Sequence, residues 1–383
     1  MTVTSAKGFV ASGIAAGLKA SGKPDVALVV NNGPKYAAAG VFTSNRIKAA
    51  PVLWSQQVLQ AGELKAVASN SGGANACTGP DGFADTHKTA EWVAALLGCG
   101  AGEVAVCSTG LIGERLPMDL LLPGFEIAFA NLSDHGGMEA AQAIMTTDTQ
   151  SKTATVTADG FTVGGMAKGS GMLAPGLATM LCTITTDADA DAQTLQHVLE
   201  VACRETFDRI DSDGCMSTND TVLLLASGAS ECQPTQAALQ AAVTSVCQQL
   251  SRALIADAEG ASKDIEITVQ GAATTADALE VARAVSRSNL LKCALHGEDP
   301  NWGRVISAAG TTSAEFSADE IAVAINDVWV CRDGSVGDDR NLVDMSAREV
   351  FIVVDLKAGT EQASLWTNDL TAAYVHENSA YSS

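Results

Sequence analysis

Residues 164–188 read GGMAKGSGMLAPGLATMLCTITTDA, a glycine-rich loop that runs straight into an apolar strand pattern. Gly169, Gly171, Pro175 and Gly176 can support a strained turn. The run that follows predicts a strand over 177–184. A loop-to-strand junction suits the presentation of a reactive group, and here Thr179 follows a small residue, Ala178. Its hydroxyl could attack the carbonyl of Ala178, turning the peptide into an ester that water then cleaves. Thr179 would become a new N-terminus whose α-amine, with an ordinary pKa of about 7.7 to 8.0, acts as base for its own hydroxyl. No histidine or aspartate partner is then required. By pattern alone, a threonine in LATMLCTIT is equally a good β-former that packs in a sheet.

Outward from this segment, short apolar runs alternate with helical patterns. Strands are predicted at 26–30, 65–69, 103–107, 221–226, 264–270, 321–326 and 349–356. In IEITVQ, Ile265, Ile267 and Val269 repeat at period two, the mark of a strand with one buried face. Segments 86–98, 137–146, 192–207, 234–257 and 275–291 carry apolar residues at helical spacing. Thr275 and Asp277 are placed to cap the last of them. The class is mixed α and β. The length of 383 residues fits two or three packed domains, and no stretch reads as a flexible linker.

With 47% hydrophobic and 17% charged residues the chain can bury a large core. Its 23 basic and 44 acidic residues give a formal charge of −21, which repels phosphate backbones and anionic lipid. Nucleic acid and membrane are therefore not expected partners, and an anionic substrate must rely on a local cation. The ten cysteines are scattered without a C-x-x-C pair, which argues against zinc and redox motifs and fits reduced thiols. The five histidines are equally dispersed, so spacing gives no metal site. The N-terminus has no basic region followed by a long apolar one, and the expected location is the cytoplasm.

The string KGSGMLAPGLATML resembles the processing site of the ornithine acetyltransferase (glutamate N-acetyltransferase) family, whose members cleave between alanine and threonine in a K-G-x-G-M…P…A-T-M-L motif. The resemblance continues through NRIKAAPV (45–52), SNSGGANACTG (69–79), STGLIGERLP (108–117), TTDT (146–149), STNDT (217–221), HGEDPNWGR (296–304) and the C-terminal tail. It covers essentially the whole chain. Gly73 departs from it, standing where the family pattern has asparagine.

The resemblance implies a role for particular residues. Thr179 is the nucleophile, and Thr109 with Gly110, in the STG turn at a strand end, stabilises the tetrahedral oxyanion. Lys168 binds substrate and supplies the local cation for a carboxylate. One substrate-binding threonine lies in the TTD motif, with Thr146 favoured and Thr147 the alternative. Glu259 pairs with an amino group of ornithine. The tail VHENSAYSS supplies Asn378 and Ser383, where serine replaces the family's threonine and keeps the hydroxyl. A functional tail must be docked, because chain ends otherwise fray. HGEDPNWGR carries no assigned role and reads as a structural or site-shaping loop.

The implied fold is α+β, an αββα-type layered sandwich of N-terminal-nucleophile character with a further smaller α/β domain. The implied reaction is ping-pong: Thr179 takes acetyl from N-acetylornithine, ornithine leaves, and glutamate accepts the group to give N-acetylglutamate for arginine biosynthesis. Some members also take acetyl from acetyl-coenzyme A, and no residue here decides between one donor and two. No cofactor is implied. Cleavage would divide the chain into an alpha fragment, 1–178, and a beta fragment, 179–383, interwoven and assembled as a heterotetramer or higher. The nearest rival is a self-processing N-terminal-nucleophile aminopeptidase or amidohydrolase, which passes the acyl group to water. A noncatalytic amino-acid-binding protein with an intact chain is the rival from another class.

Overall fold

The computed structural model describes residues 2–174, 177 and 180–380. Contacts divide the chain into two compact units. The first comprises Met1–Met172, Gly176–Asp208 and Met216–Leu254, and the second Leu173–Pro175, Arg209–Cys215 and Ile255–Ser383.

In the first unit the chain runs β1 (Phe9–Ile14), β2 (Val26–Asn31), β3 (Ala38–Phe42), α1 (Ala50–Val58), β4 (Ala66–Asn70), α2 (Gly79–Leu97), β5 (Val104–Ser108), α3 (Met118–Ala130) and α4 (Gly137–Ala143). It continues through β6 (Lys152–Ala158), β7 (Phe161–Lys168), β8 (Leu181–Thr186), α5 (Ala192–Glu205), β9 (Thr221–Ala226) and most of α6 (Gln236–Ala256). One sheet has the order β1-β2-β4-β5 and the other β3-β9-β8-β7-β6. Every residue of β2, VALVVN, is buried, because helices pack on the first sheet: α3 and α4 on β1 and β2, α1 and α2 on β5. Helix α5 packs on β3 and β9 of the second sheet. The result is the layered α+β arrangement expected.

The second unit contains β10 (Asp264–Ala272), α7 (Thr275–Ser286), α8 (Asn289–His296), α9 (Trp302–Ala309), β11 (Ala322–Ile325), β12 (Val328–Arg332), β13 (Ser335–Val336), β14 (Glu349–Asp355), β15 (Glu361–Asn368) and α10 (Ala372–Ala380). Its single sheet has the order β13-β12-β11-β14-β10-β15. Ile265, Ile267 and Val269 are all buried, as their period predicts, and join Val281, Val285, Leu291 and Leu295 in this unit's own core. It is the smaller α/β domain that the resemblance implies.

The differences from the sequence expectations have local causes. The strand predicted over 177–184 is Leu181–Thr186, because its ladder begins where Lys168 faces Leu181, and the N–H of Met180 goes instead to the Asp220 carboxylate. The helix predicted from 86 starts at Gly79, with Pro80 in its first turn, where the missing N–H costs nothing. The helix predicted over 275–291 is two helices. Its cap is not Thr275 but Thr274, the Thr274 side chain accepting the N–H of Asp277 at 3.0 Å. Ser288 then caps α8, accepting the N–H of Leu291 at 3.3 Å. All ten cysteines are free thiols. No helix among the described residues is long and apolar enough to cross a membrane.

Candidate active site

The STG turn follows directly from β5. In the parallel pair β4/β5 the last partners are Asn70 and Ser108, and Asn70 Nδ2 donates to Ser108 Oγ at 2.7 Å. Beyond this end, Thr109 donates its N–H to Asn70 O and accepts that of Gly73 at its own carbonyl, both at 3.0 Å. Gly110 has φ +135, and a Cβ there would lie 2.8 Å from both N and Cα of Gly73. Only glycine fits this position without moving the backbone. Among the described residues the Gly110 N–H has no acceptor.

Lys168 ends β7 and is almost wholly buried. Its ammonium donates to Thr109 Oγ1 at 3.2 Å. The hydroxyl oxygen is thereby used as an acceptor, and the hydroxyl hydrogen is left to donate elsewhere. Two of the predicted residues are thus in contact, and a third, Gly110, is covalently next to one of them.

Asp148 gathers the neighbouring segments. Its carboxylate accepts Lys152 Nζ at 2.6 Å and the Gly169 N–H at 2.7 Å on one oxygen, and the Thr146 N–H at 2.9 Å on the other. This is why α4 stops at Ala143: the Thr146 N–H is used by a side chain rather than by another helical turn. Burial pushes the Asp148 carboxyl upward, yet the charges of Lys168 and Lys152 and these hydrogen bonds outweigh it and bring the pKa to about 2. The folded value lies below the usual carboxylate range, so the stabilisation is full above about pH 4 and is lost as the pH falls through 2. In denaturant unfolding, the wild type is expected to lose about 2 to 3 kcal/mol through this group over that window. Asp148→Asn should lack that component of the acid slope.

Thr146 is half-buried, and its hydroxyl has no partner among the described residues, whereas Thr147 Oγ1 lies 2.6 Å from Ser170 Oγ. The motif STNDT does what the sequence reading assigned to nothing. Asn219 Nδ2 donates to Ala74 O at 2.6 Å and to Ser108 O at 2.8 Å, fixing the strand end that carries Thr109. Asp220, wholly buried, accepts the Met180 N–H at 3.0 Å, and burial holds its carboxyl far above the ordinary range. Among the described residues its other oxygen has no hydrogen-bond partner. Two adjacent amide and acid side chains at the head of the apolar run VLLLA were the available signal, since such groups are buried only for a purpose.

Glu259 and Asn378 belong to the second unit, where Asn378 Nδ2 donates to Glu259 Oε2 at 3.0 Å. Glu259 lines a cavity of about 310 Å³ with Asp213, Arg287, Lys292, Asp369 and Tyr374. Lys292 is buried among acceptors, donating to Ser212 O at 2.7 Å, Thr367 Oγ1 at 3.1 Å and Asn368 O, and burial brings its pKa down to about 8. HGEDPNWGR is not all loop. His296 closes α8 with Nδ1 3.0 Å from Asp369 Oδ2, and Trp302 opens α9. Ala178, Thr179 and Ser383 lie outside the described residues. No group of three or more metal-ligating side chains occurs among the described residues.

A family model described as the ArgJ family matches residues 10–383. The chain belongs to the ArgJ family. Among ArgJ relatives, the arginine biosynthesis bifunctional protein ArgJ of Streptomyces avermitilis is 70% identical over 383 residues, all of both chains. Its counterpart in Mycobacterium tuberculosis is 57% identical over 391 residues, covering all of this chain and 96% of the relative. Among solved structures, ornithine acetyltransferase from M. tuberculosis complexed with ornithine is 61% identical, with a TM-score of 0.45, over 47% of this chain and 96% of that one. An ArgJ structure from Bacillus halodurans is 36% identical, with a TM-score of 0.49, over 52% and 97%.

Proposed function

We propose that this ArgJ chain transfers acetyl from N-acetylornithine to glutamate in arginine biosynthesis, through an acetyl ester on Thr179 freed by cleavage after Ala178. Relatives of 54 to 70% identity that carry the arginine biosynthesis name support the pathway, and their designation as bifunctional supports a second acetyl donor, acetyl-coenzyme A. The observation that carries the mechanism is the Lys168–Thr109 hydrogen bond at the ladder end where Lys168 faces Leu181. Two residues of chain, at most about 7 Å of backbone, join Leu181 to Thr179. That contact supports the reading in which Thr109 and Gly110 serve the hydroxyl of Thr179.

In the first half-reaction Thr179 Oγ bonds to the acetyl carbon while its proton passes to the α-amine of the same residue. The negative oxygen is met by the Gly110 N–H and the Thr109 hydroxyl, the latter polarised by Lys168. The carbon–nitrogen bond breaks, and ornithine leaves with the proton. Glutamate's amine then attacks the ester and departs as N-acetylglutamate. Lys168 and the Thr146 hydroxyl take the carboxylate end of the substrate. Glu259 takes an amino group, with Asn378 and Ser383 as further contacts. The two cleavage fragments, 1–178 and 179–383, remain associated and assemble further. Incubation with N-acetylornithine and glutamate should yield N-acetylglutamate and ornithine in equal amounts. Acetate as the sole acyl product would instead mark a hydrolase.

Asp220 fixes the amide that follows Thr179, so Asp220→Ala is expected to leave a large share of the chain uncleaved on a denaturing gel. Asp220→Asn keeps an acceptor for Met180 and should cleave nearly completely.

A further inference from the structure

The loop 15–25, between β1 and β2, takes no part in the roles above, yet it touches two segments that carry them. Asp25, fully buried, accepts the N–H groups of Ala16 and Leu18 at 2.7 Å and of Lys19 at 3.1 Å, so one carboxylate winds the loop into a fixed shape. The Asp25 carbonyl accepts the Ser71 N–H at 2.9 Å. Leu18 lies so close to Gly72 that a Cβ there would be 2.4 Å from its own Cβ. Gly72 precedes Gly73, whose N–H holds Thr109 O. On the other side Lys19 Nζ donates to Met145 O at 2.7 Å and to Pro24 O at 2.9 Å. Met145 is the residue before Thr146.

We infer that Lys19 is a positioning residue for the substrate's carboxylate: its ammonium ties Met145, and so Thr146, to the loop that braces the Gly72–Thr109 wall, and adds positive charge beside Lys168. This rests on the acetyl-transfer reading and gives that site a further determinant of substrate affinity. The chain as a whole repels anions, so the charges near Lys19 matter. They are Asp25, Lys168, Asp148 and Lys23. Burial, with Lys168 and Lys23 acting in the same direction, outweighs the two aspartates and brings Lys19 down to about 8. Its charge is present below that pH and lost as the pH rises through it. Loss weakens both charge-assisted hydrogen bonds and lowers the local potential for a carboxylate.

The test is the steady-state kinetics of N-acetylornithine with Lys19→Met and Lys19→Arg, using the whole self-processed enzyme. Lys19→Met is expected to raise KM about five- to tenfold at neutral pH with kcat within about twofold. In the wild type, kcat/KM should rise as the Thr179 α-amine becomes neutral and fall again above about pH 8 as Lys19 loses its charge. Lys19→Arg, which keeps its charge, should move that fall about a unit or more higher. Lys88→Met, at an exposed helix position, is the control for a lost charge and should change neither. An active wild type whose alkaline fall is the same in Lys19→Arg, or whose KM is unmoved in Lys19→Met, overturns the inference. A wild type that makes no N-acetylglutamate overturns the acetyl-transfer reading instead. If Lys19→Met fails to fold, the pH profile of Lys19→Arg decides alone.

Discussion

Thr179→Ala is expected to remain one chain of 383 residues and to lose acetyl transfer altogether, whereas the wild type runs as fragments 1–178 and 179–383. Both losses follow from one atom. Without Oγ there is no group to attack the carbonyl of Ala178, so no new α-amine is released, and there is no oxygen to carry the acetyl group. Thr179→Ser separates the two demands: it keeps the hydroxyl and should still cleave, with slower turnover because the methyl that restricts χ1 is gone. For Thr179→Ala the loss should be in kcat, by at least about 10⁴, since the substrate contacts proposed for Lys168, Thr146 and Glu259 are untouched.

Gly110→Ala should be the next most damaging change, lowering kcat by about 10² to 10³ with KM altered only a few-fold. The backbone at Gly110 has φ +135, and the added methyl would sit 2.8 Å from N and Cα of Gly73. Both neighbours are main chain and cannot swing aside as a side chain can. The turn must rotate, and with it the N–H proposed to meet the oxyanion. The strain costs on the order of 1 to 3 kcal/mol, small for a domain of this size, so the variant should fold. Circular dichroism and a gel of the processed fragments separate this local loss from unfolding. Unchanged kcat would remove Gly110 from the oxyanion site.

What the sequence revealed follows from the range of the interactions. Elements marked by local period were found, such as β10 with its alternating Ile265, Ile267 and Val269, and the fully buried β9 was matched to the residue. The strands β6 and β7 were missed because threonine and glycine interrupt their apolar pattern. The break between α7 and α8 was missed because Ser288 reads as an ordinary polar residue inside a helical period. For the site, the STG turn and Lys168 were identified through motif resemblance. Their contact, over 59 residues of separation, was beyond any spacing rule. Asp148 and Lys19 act through main-chain groups far away in sequence, and nothing in their immediate neighbours announces it.

The acid character of the chain and the chemistry of the site are reconciled by burial. The buried Lys168 and Lys152 and the half-buried Lys19 all act on one Asp148, a local excess of positive charge inside a molecule of charge −21. Desolvated charges act at far higher effective strength than those on the surface, so a few buried lysines can capture a carboxylate that the overall field repels.

The central claim is tested most directly by the intact mass of the beta fragment after exposure to N-acetylornithine without glutamate. The fragment 179–383 should gain the mass of one acetyl group, located at Thr179 and discharged when glutamate is added. An active preparation whose chain is uncut, or whose fragment carries the acetyl group on another residue, would contradict it.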